Sequence, residues 1–148
     1  MIPFSPFDFY IQRKLFMHNM GHAITAYFGY LEGYKYIWEA CEDLNIKFIA
    51  FRALIESAYG MSIEHEIKMN ELIMHAEDLV YRFCNHALLD TVARVGRDTV
   101  RKLSQNDRLT GAARMCEKNR VRPVYIAAGI AAGLFFNTEE DIASKKNN

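Results

Sequence analysis

No stretch of this 148-residue chain alternates apolar and polar residues with a period of two and then ends in turn chemistry. Apolar residues recur instead at intervals of three and four, the spacing of one face of an α-helix. Ile24, Tyr27, Phe28 and Leu31 follow that interval, and so do Ile46, Ile49, Ala50, Ala53 and Leu54. A chain without strand patterning has to bury its apolar stripes helix against helix, so the expected fold is all-α. Its length suits one domain with a real core, and residues 1–148 are expected to form a single helical unit.

Local signals divide the chain. Residues 1–8, with Pro3 and Pro6, read as an extended lead-in. A helix is expected from Phe9 to about Leu31, then a short one from Tyr34 to about Asp43 carrying Trp38. Asn45 is a candidate cap for a helix that ends at Gly60, and Ser62 for the next, with Ile63, Ile67, Ile73, Leu79 and Val80 on its apolar side. Residues 84–106 suit short helical pieces joined by loops. Asn106 or Asp107 caps a helix running to about Lys118, and Pro123 opens an apolar one to Phe136. Thr138–Asp141 resembles a capping box, and residues 144–148 are expected to fray. Gly29 and Gly33, and again Gly129 and Gly133, are four apart, as close helix packing requires. Gly21 either packs in the same way or opens space beside a ligand.

The formal net charge of zero gives no argument for nucleic acid or membrane as a partner. The charge is unevenly placed: residues 91–122 hold nine Lys and Arg against three Asp and Glu. That block suits a local anionic ligand or an intramolecular partner surface. Arg97, Arg101 and Arg108 are expected to pair with Asp98, Asp107 and the acidic half. Cys41, Cys84 and Cys116 are odd in number and far apart, which reads as reduced thiols in a cytoplasmic protein. The longest apolar run, Val124–Phe136, is too short to span a bilayer, and no signal peptide is legible at Met1.

One segment concentrates chemistry. Lys14, Asn19 and His22 stand among apolar neighbours at offsets of five and three. On an unbroken α-helix, at about 100° per residue, Asn19 lies roughly 140° from Lys14 and His22 roughly 80°, between the two. Amine, carboxamide and imidazole on one broad face suit oxidation of a carbinol. Desolvation can lower a lysine pKa to about 7–8, where it accepts a hydroxyl proton. An amide can donate to the oxygen that gains charge, and an imidazole can hold a neighbouring hydroxyl. His18 reads as packing beside this set, His65 and His75 as exposed, and His86 as a loop or cap residue. His18 and His22 are four apart, but no HExxH glutamate or completing Asp or Cys accompanies them, so no metal site is expected.

The run Arg13–Tyr34, RKLFMHNMGHAITAYFGYLEGY, resembles the mannitol dehydrogenase family of polyol-specific long-chain dehydrogenases. That family carries a lysine, four residues, an asparagine, two residues and a histidine, and Lys14, Asn19 and His22 stand at those places. A second match, RVGRDTVRKLSQNDRL from Arg94, is similar to the family's substrate-binding stretch, with Arg94 and Lys102 at its arginine and lysine. The resemblance runs from about Phe4 to Phe136. It implies a multi-helix fold like the C-terminal domain of 6-phosphogluconate dehydrogenase-like dehydrogenases. It also implies Lys14 as general base, Asn19 and His22 flanking the reacting oxygen, and Arg94 and Lys102 on the substrate.

No Gly-x-Gly-x-x-Gly and no βαβ unit occurs in the chain. The resemblance therefore implies that NAD or NADP is held mainly by an N-terminal dinucleotide-binding domain outside this sequence. The implied reaction oxidises a hexitol or hexitol phosphate, mannitol 1-phosphate favoured, to the ketose. The isolated chain is expected to be inactive. Two alternatives stand beside it: a hexuronate reductase domain of the same family, of the fructuronate or tagaturonate type, and a helical interaction module without catalysis.

Overall fold

A computed structural model describes residues 6–136. Among them every regular element is helical, and the one extended pairing is an isolated antiparallel bridge between Tyr36 and Thr91. The all-α expectation holds. Helix α1 (Pro6–Arg13), a π-helical turn (Lys14–Asn19) and α2 (Met20–Leu31) run on as one rod. Pro6–Asp8, expected in the lead-in, are already helical. Then come α3 (Ile37–Glu42), α4 (Leu44–His65), α5 (Met69–Phe83), α6 (Val92–Gly96), α7 (Thr99–Lys102), α8 (Thr110–Lys118) and α9 (Val124–Leu134). The capping box at Thr138–Asp141 and the tail at 144–148 lie outside the described residues.

Helix α2 is the axis of the domain. Met20, Gly21, Ala23, Ile24, Thr25, Ala26, Tyr27 and Gly29 are all buried, which covers most of its circumference. A helix apolar all round belongs inside, and α3, α4, α6 and α9 surround this one. Leu31, assigned to the buried stripe from its spacing, is 48% exposed because the rod emerges there. The α2–α9 contact is set by missing side chains. A Cβ added at Gly129 would come within 2.6 Å of Ile24, and one at Gly133 within 2.8 Å of Tyr27. Gly21 is likewise a packing residue: a Cβ there would lie 3.0 Å from Leu54 and 3.3 Å from Phe83. Gly33, by contrast, takes a positive φ of 81° with open space around it. It turns the chain out of α2 rather than packing it.

Helix α4 departs from the expected boundaries. Its cap is Asp43, whose carboxylate accepts from the backbone N–H groups of Asn45 and Ile46 at 3.0 and 3.3 Å. It runs through Gly60 to His65, 22 residues in all. Gly60 marks not an end but a contact, since a Cβ there would strike Met115 of α8 at 2.6 Å. Ser62 sits in the last turns of α4 and donates to the Ile67 carbonyl at 2.6 Å rather than capping a new helix. Ile63 is then turned outward, 54% exposed. Helix α8 begins without a side-chain cap from Asn106 or Asp107.

Two further expectations are corrected. Cys41 of α3 and Cys84 at the end of α5, expected as separate reduced thiols, are joined as a disulfide across Cα atoms 5.3 Å apart. Cys116 is free and buried, and burial pushes its thiol up to about 12. His65, expected to be exposed, is enclosed, with Nε2 2.8 Å from Gln12 Oε1. His75 is half-buried, and burial brings it down to about 4.

The wide turn at Lys14–Asn19 has a physical anchor. The Met20 N–H reaches back to the Leu15 carbonyl five residues earlier, the bond that defines a π turn. The Ser57 hydroxyl of α4 donates to the Phe16 carbonyl at 2.8 Å, deep in the core. A polar group inserted against the ladder is a recognised cause of such irregularity. Ser57→Ala would leave that carbonyl buried and lacking this donor, at a cost of about 1–3 kcal/mol. A denaturant midpoint unchanged between Ser57→Ala and wild type would show that the anchor is not needed.

Candidate functional site

The π turn and the first turn of α2 carry Lys14, His18, Asn19 and His22. A π turn takes an extra residue into each hydrogen-bonded ring. Positions five apart are therefore much closer in angle than the roughly 140° of a regular α-helix. The five-residue offset from Lys14 to Asn19 matches this turn and not an unbroken α-helix, which corrects the expected geometry. Asn19 has ordinary helical dihedrals (φ −67°) and makes no side-chain capping bond, so its carboxamide serves no helix end.

Lys14 is exposed, because Phe16 and Met17 take the core side of its turn. The described residues do not supply the desolvation expected for a basic amine. Its charge reaches His18, whose pKa is lowered first by burial, then by Arg82 and Lys14. His22 is mostly covered, its side chain 23% exposed. Its ring stacks on Phe83 with centroids 5.0 Å apart and planes 6° from parallel, and His18 lies 6.1 Å away.

The basic stretch folds back onto this imidazole. Burial is the largest cause lowering His22, followed by the charges of His18, Lys102, Arg94 and Arg108, and together they bring it to about 4. Arg94, Lys102 and His22, far apart in sequence, are thereby one electrostatic neighbourhood. Lys102 is the buried lysine of the set, 7% exposed, and its Nζ donates to the Val95 carbonyl. Burial, reinforced by Arg108, Arg101 and Arg97 and opposed by Asp98, brings it down to about 8. Of the other arginines, Arg101 pairs with Asp98 and Arg108 with Asp107, each at 2.9 Å, as expected.

Arg94 is exposed and paired with Asp90, whose other carboxylate oxygen stands 3.9 Å from His22 Nε2. Asp90, Arg108 and Phe83 were not singled out as site residues in the sequence. Only the i, i+4 spacing of Asp90 and Arg94 hinted at one of them. Among the described residues no group of three His, Cys, Asp or Glu side chains could hold a metal ion. None of their helices is long and apolar enough to cross a membrane. Nor do they contain a parallel sheet with a glycine-rich turn, the unit that holds a dinucleotide.

Residues 7–148 match the family model described as the mannitol dehydrogenase C-terminal domain, and the chain belongs to that family. Among individual relatives, it is 46% identical over 132 residues to a mannitol-1-phosphate 5-dehydrogenase of Thermoanaerobacter pseudethanolicus, covering 89% of this chain and 34% of that protein. It is 43% identical to proteins of the same name from Caldanaerobacter subterraneus and Clostridium acetobutylicum, covering 93% and 90% of this chain and 36% and 35% of those proteins. The chain thus spans about a third of the length of the curated relatives it matches.

The lowered histidine has a consequence for stability. In the unfolded chain His22 titrates near 6.5, and in the fold near 4. Between those values the unfolded state binds more protons, so stability is lost as pH falls through that window. His18, His65 and His75 are lowered too and act in the same direction. The His22 Cε1–H resonance should titrate near pH 4, and the denaturant midpoint should drop between pH 6.5 and 4. A His22 midpoint at 6.5 would contradict the described environment.

Proposed function

We propose that this chain is the substrate-binding and catalytic domain of a polyol dehydrogenase acting on a hexitol phosphate, mannitol 1-phosphate being the favoured substrate. The observation that carries the reading is the convergence of Lys102, Arg94 and Arg108 on a neutral His22, one turn from Asn19 in the rod that also bears Lys14. The names of the relatives supply the substrate class.

The cations hold the substrate's anionic end. Arginine forks bind phosphate bidentately, and Arg94 is exposed at the rim where a ligand arrives. Lys102 adds positive charge from a buried position. The carbinol then lies along the π turn. Lys14 accepts the hydroxyl proton at Nζ, and Asn19 donates from its carboxamide to the oxygen as negative charge develops there. His22 remains neutral, so it contributes one N–H donor and one lone pair without protonating the product oxygen.

A nicotinamide dinucleotide, where bound, accepts the hydride. It would be held outside the described residues. Lys14 is exposed here, and a surface covering it in the whole enzyme would supply the desolvation that makes an amine a base near neutral pH.

Two measurements on an enzyme containing this domain test the reading. Lys14→Ala should lower kcat by about 10²–10⁴, and turnover within about threefold of wild type would remove the lysine from the role of base. Arg94→Ala deletes a charged hydrogen-bond donor worth about 1.5–3 kcal/mol. It should raise KM for mannitol 1-phosphate roughly ten- to a hundredfold and leave KM for mannitol unchanged. Equal effects on both substrates would show that Arg94 does not read the phosphate. Faster turnover of a hexuronate than of either polyol would assign the same cations to a carboxylate.

A further inference from the structure

Asp90 ends the loop after α5, yet its main chain is held as firmly as a strand. Its carbonyl accepts from the Ile37 N–H at 3.0 Å, and the Val92 N–H donates to the Lys35 carbonyl at 2.8 Å across the Tyr36–Thr91 bridge. The Thr91 hydroxyl then caps α6, accepting from the Arg94 N–H at 3.1 Å. These bonds fix where the Asp90 side chain starts. One carboxylate oxygen pairs with Arg94 on the next helical turn, and the other faces His22 Nε2 at 3.9 Å. Both side chains are about three-quarters covered, at 25% and 23% exposure.

The contact between Asp90 and His22 is not an ion pair, because His22 is neutral near pH 7. It is a carboxylate facing a neutral ring just beyond hydrogen-bond length. A neutral imidazole carries one N–H, and the partner of one nitrogen decides which nitrogen has it. An Nε2 lone pair pointed at a carboxylate is repelled, whereas an Nε2–H is attracted. The Nε2–H tautomer follows, with Nδ1 left as the acceptor. The same carboxylate is shared with Arg94. An anion that takes the guanidinium releases Asp90 toward the ring.

We propose that Asp90 is a positioning residue that sets the tautomer of His22 and links it to occupancy of Arg94. The tautomer rests on the Asp90 carboxylate standing 3.9 Å from Nε2 of a neutral ring, and needs no bound anion. The link rests on the site binding an anion, as in the proposed function. In use, the substrate's phosphate draws Arg94 away, Asp90 tightens on Nε2–H, and Nδ1 is presented to a substrate hydroxyl. Anion recognition at Arg94 thereby orients the neighbouring imidazole toward the substrate's hydroxyls.

Long-range ¹H–¹⁵N spectra of the 148-residue chain at pH 7 test both parts, comparing wild type with Asp90→Asn and Asp90→Glu. In wild type the His22 signals should be those of the Nε2–H tautomer. Asp90→Asn should move both ring nitrogens toward the average of the two tautomers, and Asp90→Glu should restore most of the difference. A wild-type ring protonated on Nδ1 overturns the proposal whether or not a variant folds, and so does a folded Asp90→Asn chain with unmoved ring signals. Inorganic phosphate then separates the two readings. It should shift the Arg94 and Lys102 amides in both chains, but the His22 nitrogens only in wild type. An equal His22 response in Asp90→Asn overturns the link. Phosphate binding to neither chain removes the anion-site reading and the link with it, while the tautomer stands or falls on its own spectra.

Discussion

The near-complete burial of α2 is the constraint on which the rest of the domain depends. A helix enclosed by α3, α4, α6 and α9 cannot slide or rotate without breaking close packing, and Gly129 and Gly133 bring α9 nearer to it than any side chain would permit. Interiors packed to crystal-like density transmit position faithfully. The π turn continues directly from this helix. Lys14, Asn19 and His22 are therefore aimed by an element whose orientation the core fixes, not by a loop. The Ser57–Phe16 bond ties the widest part of the rod to α4, the longest helix of the domain.

Electrostatics divides the site into two unlike halves. Around His22, burial first and then the charges of His18, Lys102, Arg94 and Arg108 keep the ring neutral, and burial reinforced by neighbouring arginines brings Lys102 to about 8. Around Lys14 there is little covering, and the amine is exposed. The two lysines thus take opposite parts from those a reading of the base alone would give them. The buried one donates to the Val95 carbonyl, and the proposed base is exposed.

Much of the architecture was legible in the sequence because helical periodicity reports burial directly. The end of the rod at Leu31, the close packing at Gly129 and Gly133, the short pieces after Cys84 and the end of α8 at Lys118 all follow from spacing and cap chemistry, though not that α2 is the helix those glycines meet. Errors arose where one residue type serves two purposes. Gly60 read as a helix end, but it is a close contact with Met115. Asp43 outcompeted Asn45 as a cap because its carboxylate reaches two N–H groups. The π turn was not legible, since its anchor Ser57 lies 41 residues away. Nor was the Cys41–Cys84 pairing, which joins residues 43 apart. Asp90 escaped notice for the same reason: its importance comes from facing His22 across the fold. The resemblance of two sequence motifs named five site residues, but only the fold gathers Arg94, Lys102 and His22 into one neighbourhood.

The central claim is that the π turn and the basic stretch form the two ends of a single polyol-phosphate site. A crystal structure of an enzyme containing this domain, with mannitol 1-phosphate bound, measures it directly. The account predicts the phosphate on Arg94 and Lys102 and a carbinol oxygen within hydrogen-bond reach of Lys14 Nζ and the Asn19 carboxamide. A substrate seated away from the π turn, or a phosphate pointing toward Lys14 and away from Arg94, would contradict it.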